Sequence, residues 1–208
     1  MLKRYEDGAY TDVDTNKRYD NDSAAWVECE FLKRYDEDSA AWVDVWTGQP
    51  KLSFVKYSEN GNGTYSPSGS GCGLSAYTGN YQQSQIIILA LNSEPIATVG
   101  GSVTINLSAS TYLDTSLASS GTAMLYVMGV ASNGAIVTSS SLNLAANVGT
   151  GTGELNTSFT LDANTQDIYG IEIELRVIAP SAIDYRSADV YINQFDVTGI
   201  DEYKVEFI

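Results

Sequence analysis

Carboxylates, hydroxyls and aromatic rings are the groups with which this chain could do chemistry, because it contains no histidine. That removes the commonest general base at neutral pH and the commonest transition-metal ligand. Glu172 and Glu174 share one face of a predicted strand, and a carboxylate pair is what glycoside cleavage uses. The same spacing is at home in an inert sheet. Asp20 with Asp22, and Asp36 with Asp38, could offer oxygens to calcium. Without the remaining ligands of a full loop they are better explained as turn formers. No nucleophile elbow, phosphate-binding glycine loop or zinc-ligand spacing occurs. The sequence therefore predicts a non-enzymatic protein with no catalytic residue, no metal site and no cofactor.

The elements that would position these side chains are strands. Lys3-Arg4-Tyr5, Lys17-Arg18-Tyr19 and Lys33-Arg34-Tyr35 recur at intervals of about fifteen residues, too short for a repeated helix pair. Each is followed by acidic and small residues and then by Tyr10-Thr11-Asp12-Val13, Trp26-Val27-Glu28-Cys29 or Trp42-Val43-Asp44-Val45. The unit reads as strand, turn, strand. KRY and AWV favour β structure, while the intervening Asp, Asn and Ser side chains hydrogen-bond their own backbone in turns. A lone hairpin of this size is not stable in water. Residues 1–50 are therefore predicted to be an attachment module of hairpin repeats. In it, Tyr5, Tyr19, Trp26, Tyr35 and Trp42 either form the core of a small sheet or dock on a partner, as interface aromatics do.

Charge narrows the partners. Net charge is −15, and no Lys or Arg occurs between Lys56 and Arg176. A nucleic-acid surface needs a basic stripe to displace counterions from phosphates, so nucleic acid is not an expected partner. The chain has no apolar run of membrane-spanning length, and MLKRYEDGAY lacks a signal-peptide core. The expectation is a protein made in the cytoplasm with no membrane partner. Cys29 and Cys72 lie in different segments without metal-like pairing and are predicted to be free thiols.

Residues 51–208 are predicted to form one all-β domain. A strand at Leu52 to Tyr57 leads into a loop from Asn60 to Gly73, dense in Gly, Asn and Ser. Then strands and turn clusters alternate at the spacing of a β-sandwich. They are predicted at Gln85 to Leu91, Gly101 to Ser108, Ala123 to Ala131, Ala135 to Leu144, Gly153 to Leu161, Gly170 to Ile178 and Asp189 to Thr198. Val103, Ile105 and Leu107 alternate inward, as do Ile171, Ile173 and Leu175. Val190, Ile192 and Phe195 do so if a bulge intervenes. Glu172, Glu174 and Arg176 are expected on a solvated face. Tyr203, Val205 and Phe207 alternate as a further strand, either closing the sandwich or pairing with a neighbouring subunit.

The KRY and WVDV repeats resemble those near the N-termini of virion proteins of tailed phages that infect Gram-positive bacteria. The resemblance covers residues 2–46 and implies a capsid, neck, tail, fibre or baseplate component attached through this region. It implies other virion proteins as partners, a homo-oligomer, and the virion as location. From residue 52 to 200 the order of GLSAYTG, the Gln85 strand, GGSVTINLSAS, TAMLYVMGV, NTSFTLDA and VYINQFDV resembles galactose-binding-like carbohydrate-binding modules. These are jelly-roll sandwiches that bind glycans through exposed aromatics and often carry structural calcium. Asn193-Gln194 stands where paired acids commonly help to hold that calcium. With no Trp after Trp46, stacking on sugar rings would fall to tyrosines. Tyr65, Tyr77, Tyr81, Tyr112 and Tyr185 are expected in loops, and Tyr77, Tyr81 and Tyr185 are the candidates for binding a neutral cell-surface glycan. The alternative is that loop tyrosines cap the core. Tyr126, Tyr169 and Tyr191 are expected to belong to the core.

Overall fold

The computed structural model describes residues 50–114, 117 and 122–208 in full, and the backbone of six short strands between residues 3 and 46. The chain divides into two compact units, Met1–Pro50 and Lys51–Ile208. In the first, β1 (Lys3–Glu6) pairs with β2 (Ala9–Asp12), β3 (Lys17–Asp20) with β4 (Ala25–Glu28), and β5 (Leu32–Asp36) with β6 (Ala41–Trp46), all antiparallel. Register sets Tyr5 opposite Tyr10, Tyr19 opposite Trp26 and Tyr35 opposite Trp42. The side chains of the predicted docking residues Tyr5, Tyr19, Trp26, Tyr35 and Trp42 lie outside the described part of the structure, as does Cys29.

The second unit is an all-β sandwich. Its strands are β7 (Lys51–Asn60), β8 (Asn62–Ser68), β9 (Gly71–Tyr77), β10 (Gln83–Leu91), β11 (Ser102–Leu113) and β12 (Thr122–Val130). They continue with β13 (Ile136–Asn143), β14 (Gly151–Asp162), β15 (Gly170–Ile178), β16 (Ser187–Thr198) and β17 (Glu202–Phe207). One short helix, α1 (Leu144–Val148), is capped by the Asn143 side chain, which accepts from the Ala146 N–H. One half of the sandwich runs β13-β12-β15-β10-β7 and the other β8-β9-β16-β11-β14. The C-terminal strand β17 joins them, pairing antiparallel with β16 and parallel with β7. The terminal strand thus closes its own sandwich.

Alternation explains the layering. On β11 the residues Val103, Ile105, Leu107 and Ala109 are buried against Ile86 and Ile88 of β10 and Ile171, Ile173 and Leu175 of β15, within one core. At its β17 end the core is aromatic. Phe207 stacks on Phe54 at 5.2 Å between centroids, and Phe195 meets Phe54 edge-on at 5.4 Å. Such pairs add to the area they bury. The bulge in β16 is present: the register shifts between Ser108 and Ala109, leaving Asn193 as the extra residue.

Several expectations are corrected. The stretch from Asn60 to Gly73 is mostly the hairpin of β8 and β9, turned at Gly69, whose φ of 66° suits glycine; the chain enters it from β7 through Gly61, at φ 68°. A Cβ there would also strike the Ser84 hydroxyl. Tyr65 and Tyr77 therefore sit in strands, and so does Tyr112, because β11 continues past Ser108 to Leu113 with partners on both sides. The Glu172 and Glu174 face is not solvated: these residues are 8% and 3% exposed. None of the three tyrosines expected in the core belongs to it: Tyr126 and Tyr169 are half-buried and Tyr191 is 53% exposed.

Candidate functional site

The outer face of the β8-β9-β16-β11-β14 half is built from the polar members of its alternating strands. With Val190 and Ile192 buried, Tyr191 must point outward. Register places it beside Gly73 of β9 and Ser110 of β11. The absence of a side chain at Gly73 is what lets the Tyr191 ring lie over it: a Cβ there would come 3.3 Å from ring atoms Cδ1 and Cε1. Tyr112, 51% exposed, lies on the same face one step along the neighbouring strand, opposite Asp189. Tyr77, at the end of β9, faces outward opposite Ser187.

Polar groups flank these rings. The Asn193 Nδ2 donates to Ser110 Oγ at 3.0 Å, and that hydroxyl donates to the Glu154 carboxylate at 3.4 Å. The Gln194 amide donates to Asp196 Oδ2 at 2.6 Å. Alongside runs a groove of about 210 Å³ bordered by Asn106, Ser108, Asn156, Thr157, Gln194 and Asp196. None of the five strands carries a Lys or Arg. The strands of this face therefore offer flat rings, amides and carboxylates but no cation, a set suited to the ring faces and hydroxyls of a neutral sugar. Arg186 lies just before β16 with its guanidinium on the Tyr185 carbonyl.

The backbone segments that carry Tyr77, Tyr81 and Tyr185 are tied to one another through Thr78, which is buried. The Thr78 N–H donates to the Arg186 carbonyl and its hydroxyl to the Asp184 carbonyl, so the loop carrying Tyr185 is fixed to the one carrying Tyr81. The Tyr81 N–H in turn donates to the Thr78 carbonyl at 2.7 Å. All three tyrosines are exposed, while Tyr65 is partly buried and donates its hydroxyl to the Phe54 carbonyl. Burial pushes the Tyr65 hydroxyl up to about 12. Tyr112 and Tyr191 complete the face and are not among the binding candidates named from sequence. The signal for Tyr191 was its parity with Val190 and Ile192.

Two other places gather polar groups. A cleft of about 390 Å³ at the opposite end is lined by Val99, Ser132, Asn133, Gln166, Asp167 and Tyr169. Two of its polar groups are spent on holding loops: Asp167 accepts from the Val99 N–H and Asn133 from the Ala135 N–H. The second place is the outer side of β15. There Arg176 grips Glu174 through two hydrogen bonds of 2.6 and 2.8 Å while lying 4.7 Å over the Tyr126 ring. Glu172 sits between Leu89 and Met128 across the strands. Burial, and then the Glu174 charge, push its carboxyl above the usual range. Neither cleft includes these carboxylates. Among the described residues no cluster of His, Cys, Asp and Glu could hold a metal. Cys72 is a free, buried thiol, raised to about 12 by burial.

No protein-family profile and no curated protein matches the sequence. Solved structures show a distant similarity of strand arrangement. The arabinose-bound MgGH51 α-L-arabinofuranosidase is 13% identical over 70% of this chain and 23% of its own, with a TM-score of 0.42. A CBM4 structure is 13% identical over 70% of this chain and 94% of its own, at 0.37. A chain of infectious bursal disease virus, Gx strain, is 11% identical over 84% of this chain and 38% of its own, at 0.38. The chain thus spans under a quarter of the arabinofuranosidase. The similarity extends both to carbohydrate-binding-module sandwiches and to viral jelly-roll domains.

Proposed function

We propose that this is a non-enzymatic structural protein of a tailed-phage virion, attached through residues 1–50, whose sandwich contacts neutral polysaccharide on the host surface. The observation that carries the binding role is Tyr191 lying over Gly73 beside Tyr112, on strands without a basic residue. A ring resting against the sheet has less rotamer freedom to lose on meeting a sugar. Stacking on Tyr alone would be weak per site, so useful adhesion depends on many copies acting together. The test is a glycan array probed with the full-length protein displayed multivalently. Binding to neutral polysaccharides is expected, and binding confined to acidic glycans would overturn this role.

The attachment role is favoured by the repeated hairpins, each too small to be stable alone. Residues 51–208 contain their own core, so deletion of 1–50 should leave a folded protein that no longer joins particles. Incorporation of the truncated chain at normal copy number would refute the attachment role.

A further inference from the structure

Three described strands of the sandwich have a free edge: β8, β13 and β14. Two of them carry features that discourage pairing. β8 spans 7 residues and contains Pro67, which has no N–H to give. β13 spans 8 residues, meets a register shift opposite Gly129 and Val130, and turns into α1. β14 follows α1, whose Val148 packs against Gly153, but carries none of the rest. It spans 12 residues, pairs with β11 from Gly151 to Asp162 without a register shift, and contains no Pro, Lys or Arg. A long, regular edge without a second hydrogen-bonded strand is a template for another strand.

We propose that β14 is the site at which a second copy of this chain adds, strand to antiparallel strand, about a two-fold axis at Thr157. The composition of β14 is self-complementary in this register. Leu155 meets the partner's Phe159, extending the core side of the sheet, where both residues are buried in the single chain. On the outer side Asn156 meets the partner's Ser158, Glu154 meets the partner's Thr160, and Asp162 meets the partner's Thr152. Moving the axis one residue further to Ser158 sets Glu154 against the partner's Asp162, and like charges directly opposite destabilise a pair. Moving it back to Asn156 sets Phe159 against Gly153 and forfeits the apolar contact. Paired through β14, the two outer faces form one surface, with Tyr112 and Tyr191 of each copy on either side of the axis. The dimer does not depend on the polysaccharide reading, and its test does not measure sugar binding.

Sedimentation velocity of the full-length protein over a range of concentrations reads the assembly. The N156K/S158K variant places Lys opposite Lys twice at the axis and should halve the mass of the wild-type assembly. The N156K/S158E variant places Lys opposite Glu and should restore it. Asn156 and Ser158 are both exposed in the single chain, and thermal melts of the two variants check that each is folded. A monomeric wild type, a mass unaffected by N156K/S158K, or a folded N156K/S158E that stays dissociated would each overturn the proposal.

Discussion

The ring of Tyr191 lies over Gly73, a residue 118 positions earlier in the chain, because register brings the two opposite each other on β16 and β9. This pairing turns an ordinary strand tyrosine into a platform. Replacing Gly73 by Val should displace the ring, since even a Cβ would be only 3.3 Å from it. Tyr191→Ala removes the ring outright. Both variants, and Tyr112→Ala, should weaken retention on a neutral polysaccharide in affinity electrophoresis by about tenfold, equivalent to about 1.4 kcal/mol. The melting temperatures of the two Tyr→Ala variants should change little, because these side chains face solvent.

The Arg176 and Glu174 pair is a different kind of contact. Glu174 is almost wholly buried, and its two oxygens are met by one guanidinium. Arg176→Ala leaves that carboxylate without a counter-charge and should cost about 3 kcal/mol in urea unfolding. Replacing both residues with Met should recover much of the loss. Equal destabilisation by the single and double variants would show that packing, not charge, is what Arg176 supplies.

Stability should depend on pH through Glu172. Burial and the neighbouring Glu174 raise its carboxyl above the ordinary value of 4.5, so the native state keeps this proton to higher pH than the unfolded chain. Stability is then lost as pH rises from 4.5 through the raised native value. Glu206 acts in the opposite sense. Hydrogen bonds from Lys51 and Ser53 hold its carboxyl low, giving a contribution present above 4.5 and lost as pH falls through the native value. Glu172→Gln should raise the melting temperature above the pH at which the native carboxyl ionises and flatten the decline that begins at pH 4.5, followed by thermal melts as pH is raised.

Cys72 should be inert in the native state. It is 3% exposed and its thiol is raised to about 12, so at pH 8 almost none is thiolate. In a Cys29→Ser background a thiol reagent should label Cys72 only on unfolding, making its rate a measure of opening around β9.

How much of this was legible beforehand follows from the range of the forces involved. Alternation is local, so Val103, Ile105 and Leu107, the inward run of β15 and the bulge before Phe195 could all be read from the sequence, and the all-β sandwich with them. The same parity already turned Tyr191 outward, although its aromatic character argued for the core. Pairing is not local. Ser108-Ala109-Ser110-Thr111 has the composition of a turn, yet it continues as strand because β14 and β16 hold it from both sides. Glu172 and Glu174 alternate like solvated residues, yet the flanking strands set Leu89 and Met128 beside one and Ile87 and Tyr126 beside the other. Local pattern and composition are enough for the fold class and for the lack of cations from β8 to β14. Only the tertiary structure decided which tyrosines share a face, that Gly73 lies beneath one of them, and that β17 closes the sandwich, because each depends on strand neighbours far apart in the chain.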